Sequence, residues 1–266
     1  MKRIALISAA LLLAMVPALG QKNEPAKSAT EGKVLEYKDG DTTCEGYLAA
    51  PAGQATGLPA VLIVHDWMGL KQLEQEKADA MAAAGYVALA VDMYGKGVRP
   101  KNTQEAQTQA MKFYNDAAMA VSRITAALET LKKQPGVDSK RIGIFGYCFG
   151  GRISLALARS GADIAACISF HGALKNIQGK SEIKCPVLVL HGADDPLVPQ
   201  EDVSGIMDEF RKGSVDWQLV HYGNAVHSFT NPKAGNDNSR GAAYNAKADK
   251  RSWEILQDFL AETLKP

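Results

Sequence analysis

The feature that most constrains the fold is a regular alternation of short apolar runs with longer periodic segments. Six runs rich in Val, Ile, Leu and Ala follow Pro59: AVLIVHD, YVALAVDMY, RIGIFGY, IAACISFHG, PVLVLHGADD and DWQLVHYG. Most are too continuously apolar for strands with one solvated face, so they indicate strands that are covered on both faces. Strands that alternate with helices predict an α/β fold, with a mostly parallel, doubly wound central sheet and helices on both faces.

The segments between these runs carry helix signals. Asn102 to Glu105 resembles a capping box, and apolar residues then recur at steps of three and four, which predicts one long helix that Pro135 and Gly136 end. Ahead of Pro59, KVLEY and EGYLAAP alternate like an N-terminal antiparallel hairpin. Similar patterns predict further helices over residues 72–84, 149–159, 200–212 and 245–264.

Composition limits the classes of function. The chain has 266 residues, a formal net charge of +1 and 46% hydrophobic residues, which is enough for one large core. Its cationic residues are scattered, which argues against a nucleic-acid partner and favours a small-molecule substrate. After a polar leader over residues 21–32, residues 33–266 are predicted to form a single domain, with a Gly- and Asn-rich functional loop over residues 231–245.

Residues 1–20 have the pattern of a secretory signal peptide. Two cations precede an Ala- and Leu-rich stretch, and the small-residue pattern Ala18-Leu19-Gly20 predicts cleavage after Gly20. An uncleaved anchor helix is the alternative, but Pro17 and the polar QKNEPAKSAT that follows favour processing. We therefore expect a periplasmic or secreted protein, without stable membrane association once the signal is removed.

Four cysteines remain after cleavage: Cys44, Cys148, Cys167 and Cys185. They form no CxxC pair and no Cys/His cluster at zinc spacing, so neither a metal nor another cofactor is predicted. Cys167 and Cys185 lie in or beside strand-like runs, which favours buried, inert thiols over a disulfide.

Polar residues end four of the predicted strands, where ligands gather in parallel sheets. They are His65-Asp66, Tyr147-Cys148, His171, and the segment from His191 to Asp195.

The sequence Gly146-Tyr147-Cys148-Phe149-Gly150 has the spacing of a nucleophile elbow, with Cys where serine hydrolases have Ser. Its glycines permit a tight strand-to-helix turn, and Gly151 permits close contact between helix and sheet. The positive end of the following helix favours a thiolate at Cys148. The alternatives are a phosphate-binding turn, which lacks the G-x-G-x-x-G order here, and a buried structural thiol.

An acid and a base in the order of α/β-hydrolases follow Cys148. HGADDPLVP provides Asp194 and Asp195, and LVHYGNAVHSFTNP provides His221 and His227. His227 is favoured as the base because it lies in the loop after the strand, whereas His221 lies within the strand pattern. Between the two aspartates, the residues alone slightly favour Asp195 as the group that orients the histidine, because Asp194 can hold the turn that Gly192 and Ala193 open.

GYCFGG, HGADDPLVP and GNAVHSFTNP together resemble the three motif blocks of the dienelactone hydrolase family, which are cysteine enzymes of the α/β-hydrolase fold. The resemblance extends from about Tyr37 to Leu264. It implies that Cys148 is the nucleophile, Asp195 the acid and His227 the base.

VLIVHDWMGL resembles the family segment in which a carboxylate contacts the resting thiol. Asp66 stands where the family usually has Glu, and helix capping is the alternative role for it. The resemblance assigns the oxyanion hole to the backbone N–H groups of Trp67 and Phe149.

The arginines that hold a substrate carboxylate in dienelactone-opening members are replaced here. Lys96 and Asn231 occupy the matching positions, and Arg99 is a candidate substitute for them. Because Lys is a point charge and Asn is neutral, bidentate binding of a carboxylate is weakened.

The expected activity is hydrolysis of a small ester or lactone through an acyl thioester, with a substrate other than a dienelactone. The alternatives are a ligand-binding or thiol-redox protein on the same scaffold, an acyltransferase and a peptidase.

Overall fold

One eight-stranded sheet organises the molecule. The computed structural model describes residues 30–53 and 55–265, so the predicted signal peptide lies outside the described residues. The strand order is β1-β2-β4-β3-β5-β6-β7-β8. The strands are β1 (Thr30–Asp39), β2 (Thr42–Pro51), β3 (Leu58–Val64), β4 (Val87–Val91), β5 (Val137–Tyr147), β6 (Ala166–Phe170), β7 (Val187–Gly192) and β8 (Trp217–Tyr222).

The pairing of the strands confirms the predicted architecture. β1 and β2 form an antiparallel hairpin, and β2 continues antiparallel onto β4. Every other neighbouring pair, from β4 to β8, is parallel. β1 begins at Thr30, inside the segment 21–32 that was predicted to be a polar leader.

Helices cover both faces of the sheet. They are α1 (Gln72–Ala83), α2 (Thr103–Asn115), α3 (Ala117–Lys132), α4 (Phe149–Arg159), α5 (Gln200–Lys212) and α6 (Ala246–Leu264). Apolar side chains of α1 and α6 pack on one face of the sheet, and those of α2, α3, α4 and α5 pack on the other. All five residues of β4 and all six of β7 are buried, which explains why the strands read as continuous apolar runs.

The prediction of one long helix after Asn102 is wrong, because the chain breaks at Asp116. This residue has an extended backbone, with φ −130° and ψ 93°, and it separates α2 from α3. Its carboxylate accepts a hydrogen bond from the N–H of Met119 at 2.8 Å. Asp is a strong N-cap residue, so it starts a second helix although the apolar periodicity continues across the break.

All four cysteines are free thiols, and three of them are buried. Burial raises the pKa of Cys44 to about 11 and that of Cys185 to about 12, and it raises the pKa of Cys167 well above its ordinary value. These three thiols are therefore protonated at neutral pH, as expected for inert core residues.

Within the described chain, the helices fall short of the length and apolar character that crossing a bilayer would require. In the same residues, no group of three or more His, Cys, Asp or Glu side chains is arranged to hold a metal ion.

Gly150→Ala tests the closest contact between α4 and the sheet. A Cβ atom at Gly150 would lie 2.2 Å from the carbonyl oxygen of Val64 in β3, and neither backbone can move freely. We expect the free energy of unfolding, measured by urea denaturation, to fall by about 1–3 kcal/mol.

Gly205→Ala is the matched control, since Gly205 is exposed in the middle of α5 with no atom near a new Cβ. There the same change should stabilise the protein by about 0.5–1 kcal/mol. Equal effects of the two substitutions would contradict the steric account.

Candidate active site

Cys148 occupies a sharp turn between β5 and α4. Its backbone has φ 54° and ψ −110°, a conformation that L-residues rarely adopt. The turn closes so tightly that a Cβ at Gly146 would lie 2.4 Å from the carbonyl oxygen of Gly150. The N–H of Cys148 donates to the carbonyl of Phe170 at 2.9 Å, which ties the turn to the end of β6. The sulfur is thus presented at the carboxyl edge of the sheet, beside the N-terminus of α4.

A chain of hydrogen bonds joins Cys148, His227 and Asp195. The Nε2 atom of His227 lies 3.0 Å from the Sγ atom of Cys148, and its Nδ1 atom lies 2.9 Å from Oδ2 of Asp195. The other carboxylate oxygen of Asp195 accepts the N–H of Leu197 at 2.9 Å. His227 is 8% exposed and Asp195 is 6% exposed, so water screens this chain only weakly.

The competing residues lie elsewhere. Asp194 is exposed, and the ring of His221, on β8, lies 5.3 Å from that of His191. The structure therefore brings Asp195 and His227 to the sulfur.

The surroundings of His227 favour its protonated form. Burial by itself lowers the pKa of His227, but the negative charges of Cys148 and Asp195 and their hydrogen bonds outweigh burial and raise this pKa to about 10. A cationic imidazole 3.0 Å from a cysteine sulfur is the arrangement in which a thiol is activated as a nucleophile.

The Gly- and Asn-rich loop that follows β8 holds His227 in place. The N–H of His227 donates to the carbonyl of Gly241 at 3.2 Å, and the carbonyl of His227 accepts the N–H of Ala243 at 3.0 Å. His227 and Ala242 form an isolated parallel β-bridge. Ser228, the next residue along the chain, has φ 58°. The loop predicted to be functional is thus the support of the histidine.

Two backbone N–H groups near the sulfur are free of protein acceptors. Among residues 30–53 and 55–265, neither the N–H of Trp67 nor that of Phe149 is paired. Phe149 is the first residue of α4, where N–H groups have no partner within the helix. The hydroxyl of Tyr94 donates to the carbonyl of Trp67 at 2.8 Å and so holds the peptide that follows the Trp67 N–H. Burial, with the charges of Asp66 and Cys148 nearby, raises the pKa of Tyr94 and keeps its hydroxyl protonated.

Asp66 holds the turn that contains Trp67. Its Oδ1 atom accepts the N–H of Met68 at 2.7 Å. In the described part of the chain, Asp66 makes no hydrogen bond with the sulfur of Cys148. Helix α1 begins at Gln72 with Lys71 as its N-cap, so Asp66 does not cap that helix either. Its carboxylate instead orders the backbone on which the N–H of Trp67 lies.

The three predicted substrate-binding side chains are all engaged with protein groups. Lys96 pairs with Glu36, and also with Glu45 at 3.7 Å. Arg99 lies 3.3 Å from the carboxylate of Asp92 and donates to carbonyls at both ends of its own loop. The side chain of Asn231 accepts the N–H of Lys233 at 2.9 Å and caps a short 3-10 turn over Pro232–Ala234.

Several neighbours of this chain of hydrogen bonds were not given a role by the sequence. Tyr94 lies in the run YVALAVDMY, and nothing in that pattern marks its contact with Trp67. His171 was noted only as a polar residue at a strand end, yet its ring centroid lies 5.2 Å from that of His227. Its position directly after an apolar strand and before Gly172 was the available signal.

Comparison with known proteins defines the family. The dienelactone hydrolase family matches residues 44–264 of the chain. The chain therefore belongs to the dienelactone hydrolase family, and it is a hydrolase of that type.

Two of the relatives span nearly the whole domain. The crystal structure of a dienelactone hydrolase-like promiscuous phosphotriesterase from metagenomic libraries is 38% identical, with a TM-score of 0.83, and covers 88% of this chain and 99% of that chain. An Aquifex aeolicus protein, provisionally named a carboxymethylenebutenolidase, is 29% identical over 88% of this chain and 100% of its own length. An uncharacterized Caenorhabditis elegans protein is 40% identical over 53% of this chain and 91% of its own length.

His227→Asn tests the charge on the imidazole without requiring a substrate. Asn is neutral and cannot stabilise a thiolate, so we expect alkylation of Cys148 by iodoacetamide at pH 6.5 to slow about tenfold or more. The native protein suits this measurement because its other three thiols are buried.

His221→Asn, on the exposed side of β8, is the control and should leave the rate unchanged. Equal alkylation rates in wild type and His227→Asn would show that the imidazolium does not activate the sulfur. Mass spectrometry of the alkylated wild type and of alkylated Cys148→Ala establishes whether Cys148 is the thiol that is modified.

Proposed function

We propose that the chain hydrolyses small, uncharged carboxylic esters or lactones, with Cys148 as nucleophile, His227 as acid and base, and Asp195 as the group that orients His227. The observation that carries this proposal is the unbroken hydrogen-bonded chain from sulfur to imidazole to carboxylate. Its order and geometry match the requirements of nucleophilic acyl transfer.

In the first half-reaction the Cys148 thiolate attacks the carbonyl carbon, a C–S bond forms, and the carbonyl electron pair moves onto oxygen. The N–H groups of Trp67 and Phe149 stabilise this oxyanion, and in the described residues both lack another acceptor. His227 then gives its proton to the leaving alcohol oxygen as the C–O bond breaks. The product is an acyl thioester on Cys148 and a neutral His227.

In the second half-reaction neutral His227 accepts a proton from water while the water oxygen attacks the thioester. The intermediate collapses with cleavage of the C–S bond, which releases the acid and restores the thiolate and the imidazolium. Asp195, whose side chain is fully buried, is bonded to Nδ1 and keeps Nε2 directed at the sulfur and the water throughout.

The charges around the site support an uncharged substrate. Lys96 and Arg99 are neutralised by Glu36, Glu45 and Asp92. Arg152, on α4, donates to the carbonyl of Phe113 at 3.2 Å and stacks over the ring of Tyr114, so it is not available to a ligand either. A substrate carboxylate would therefore lose its hydration without gaining an unpaired cation from these three side chains.

The matched esters 4-acetoxybenzamide and 4-acetoxybenzoate test this specificity, because they differ chiefly in one charge. We expect kcat/KM to be about tenfold higher for the neutral ester, a difference of about 1.4 kcal/mol in transition-state binding. A preference for the anion would contradict the proposed substrate class.

Cys148→Ala tests the nucleophile with the same neutral ester. Loss of the attacking sulfur should lower kcat by about a thousandfold or more, as expected when a covalent nucleophile is removed. Cys167→Ala, which removes a thiol buried in β6, should retain kcat and so controls for the loss of any cysteine. Full activity of Cys148→Ala would refute the proposed mechanism.

A neutral phosphotriester belongs in the same panel, because a relative that is 38% identical is named a promiscuous phosphotriesterase. Turnover that disappears in Cys148→Ala would assign that reaction to the same sulfur.

We also propose that the hydrolase is exported, on the basis of the signal-like residues 1–20. Mass spectrometry of the protein purified from the periplasm or medium of an expressing bacterium should find Gln21 as the first residue. Full-length protein retained in the membrane fraction would instead support an uncleaved anchor.

A further inference from the structure

His171 connects the three segments that carry the candidate active site. It follows β6 directly and has φ 38°, an unusual value for a residue with a side chain. Phe170, just before it, accepts the N–H of Cys148 at 2.9 Å, and the N–H of His171 donates to the carbonyl of Leu190 in β7 at 2.8 Å. The backbone at His171 is thus bonded both to the elbow and to the strand that leads to Asp195.

The side chain of His171 reaches the third segment, which carries His227. Its Nε2 atom lies 2.8 Å from the hydroxyl oxygen of Thr230, three residues after His227. Its ring meets that of His227 at a centroid distance of 5.2 Å and an interplanar angle of 65°, and it meets that of Phe229 at 5.0 Å and 81°. His171 is 2% exposed, so these contacts form in the interior.

We propose that His171 is a positioning residue that sets the orientation of His227 relative to Cys148. It acts through the Thr230 hydrogen bond and the ring contact rather than by touching substrate. The expected effect of His171 on turnover rests on the proposed function. Its expected effect on the alkylation of Cys148 does not, because alkylation is measured without a substrate.

His171 is suited to this role because it is neutral. Burial and the nearby charge of His227 hold the pKa of His171 well below its usual value. Its Nδ1 atom is buried and has no partner among the described residues. A buried lone pair costs less than a buried N–H, so the proton belongs on Nε2, which donates to Thr230.

A neutral ring beside His227 preserves the charge of the imidazolium. The titratable groups around His227 are Cys148 on the elbow, Asp195 after β7, His171 after β6 and His191 on β7. Burial lowers the pKa of both neighbouring histidines, His171 and His191. Only the two acidic groups therefore contribute charge, and both favour imidazolium.

The alternative is that His171 only fills space, and paired substitutions separate the two roles. His171→Phe retains an aromatic ring but loses the hydrogen bond, and Thr230→Val removes the same bond from the other side with little change in shape. We expect each to lower kcat for the neutral ester about tenfold, with KM changed less than about twofold. The double variant should be no worse than the poorer single variant, because both changes remove one interaction.

His171→Gln offers a rescue, since its amide can donate to Thr230 in place of Nε2, and it should recover part of the lost kcat. Ile168→Val, in the buried part of β6, is the control for general loosening of this strand. It should lower the urea midpoint slightly and leave kcat unchanged.

The pH dependence of Cys148 alkylation by iodoacetamide gives a readout that needs no turnover. Misplacing His227 weakens the ion pair, so in His171→Phe and Thr230→Val the acid limb of the alkylation profile should move to higher pH. Wild-type profiles and wild-type kcat in both variants would overturn the proposal, as would strictly additive losses in the double variant. If wild type alkylates rapidly but cleaves no ester, the proposed function fails while the shifted alkylation profile still supports the role of His171.

Discussion

The contact between the start of α4 and the ends of the central strands is the constraint on which the site depends. Gly150 lies against the carbonyl of Val64, and Gly146 lies against the carbonyl of Gly150, at separations that leave no room for a Cβ. This contact forces Cys148 into its strained backbone conformation and places it beside an unpaired helix N-terminus. The sheet and helix therefore supply the position of Cys148, and the loops after β6, β7 and β8 supply the residues around it.

The position of each cysteine, rather than its chemistry alone, decides what it does. Cys44, Cys167 and Cys185 carry the same thiol as Cys148, but burial outweighs the charges of nearby arginines and favours their protonated forms. Cys148 alone among the four has an imidazolium within hydrogen-bonding distance. One chain thus combines three inert core thiols with one that is suited to attack, without a cofactor being needed for that difference.

Much of the fold and the residues brought together at the candidate site could be predicted from the sequence because they depend on local patterns. Apolar runs and glycine spacing located the strands and the elbow, and α4 and α5 have the predicted bounds. The break at Asp116 was missed because apolar periodicity continues across it, while the hydrogen bond to Met119 decides the boundary. The pairing of Lys96 and Arg99 with Glu45, and the contact of His171 with Thr230, join residues distant in the chain. No local pattern contains that information.

The bridge between His227 and Ala242 links the conformation of the loop over residues 231–245 to the position of His227. Loops beside an active site usually vary freely, and by doing so they change which substrates enter. Here the loop over residues 231–245 also fixes the backbone of His227 through Gly241 and Ala243. Insertions or deletions in it would move His227 together with the surface that a substrate meets. Evolution of a new substrate range through this loop is therefore coupled to the rate of the chemical step.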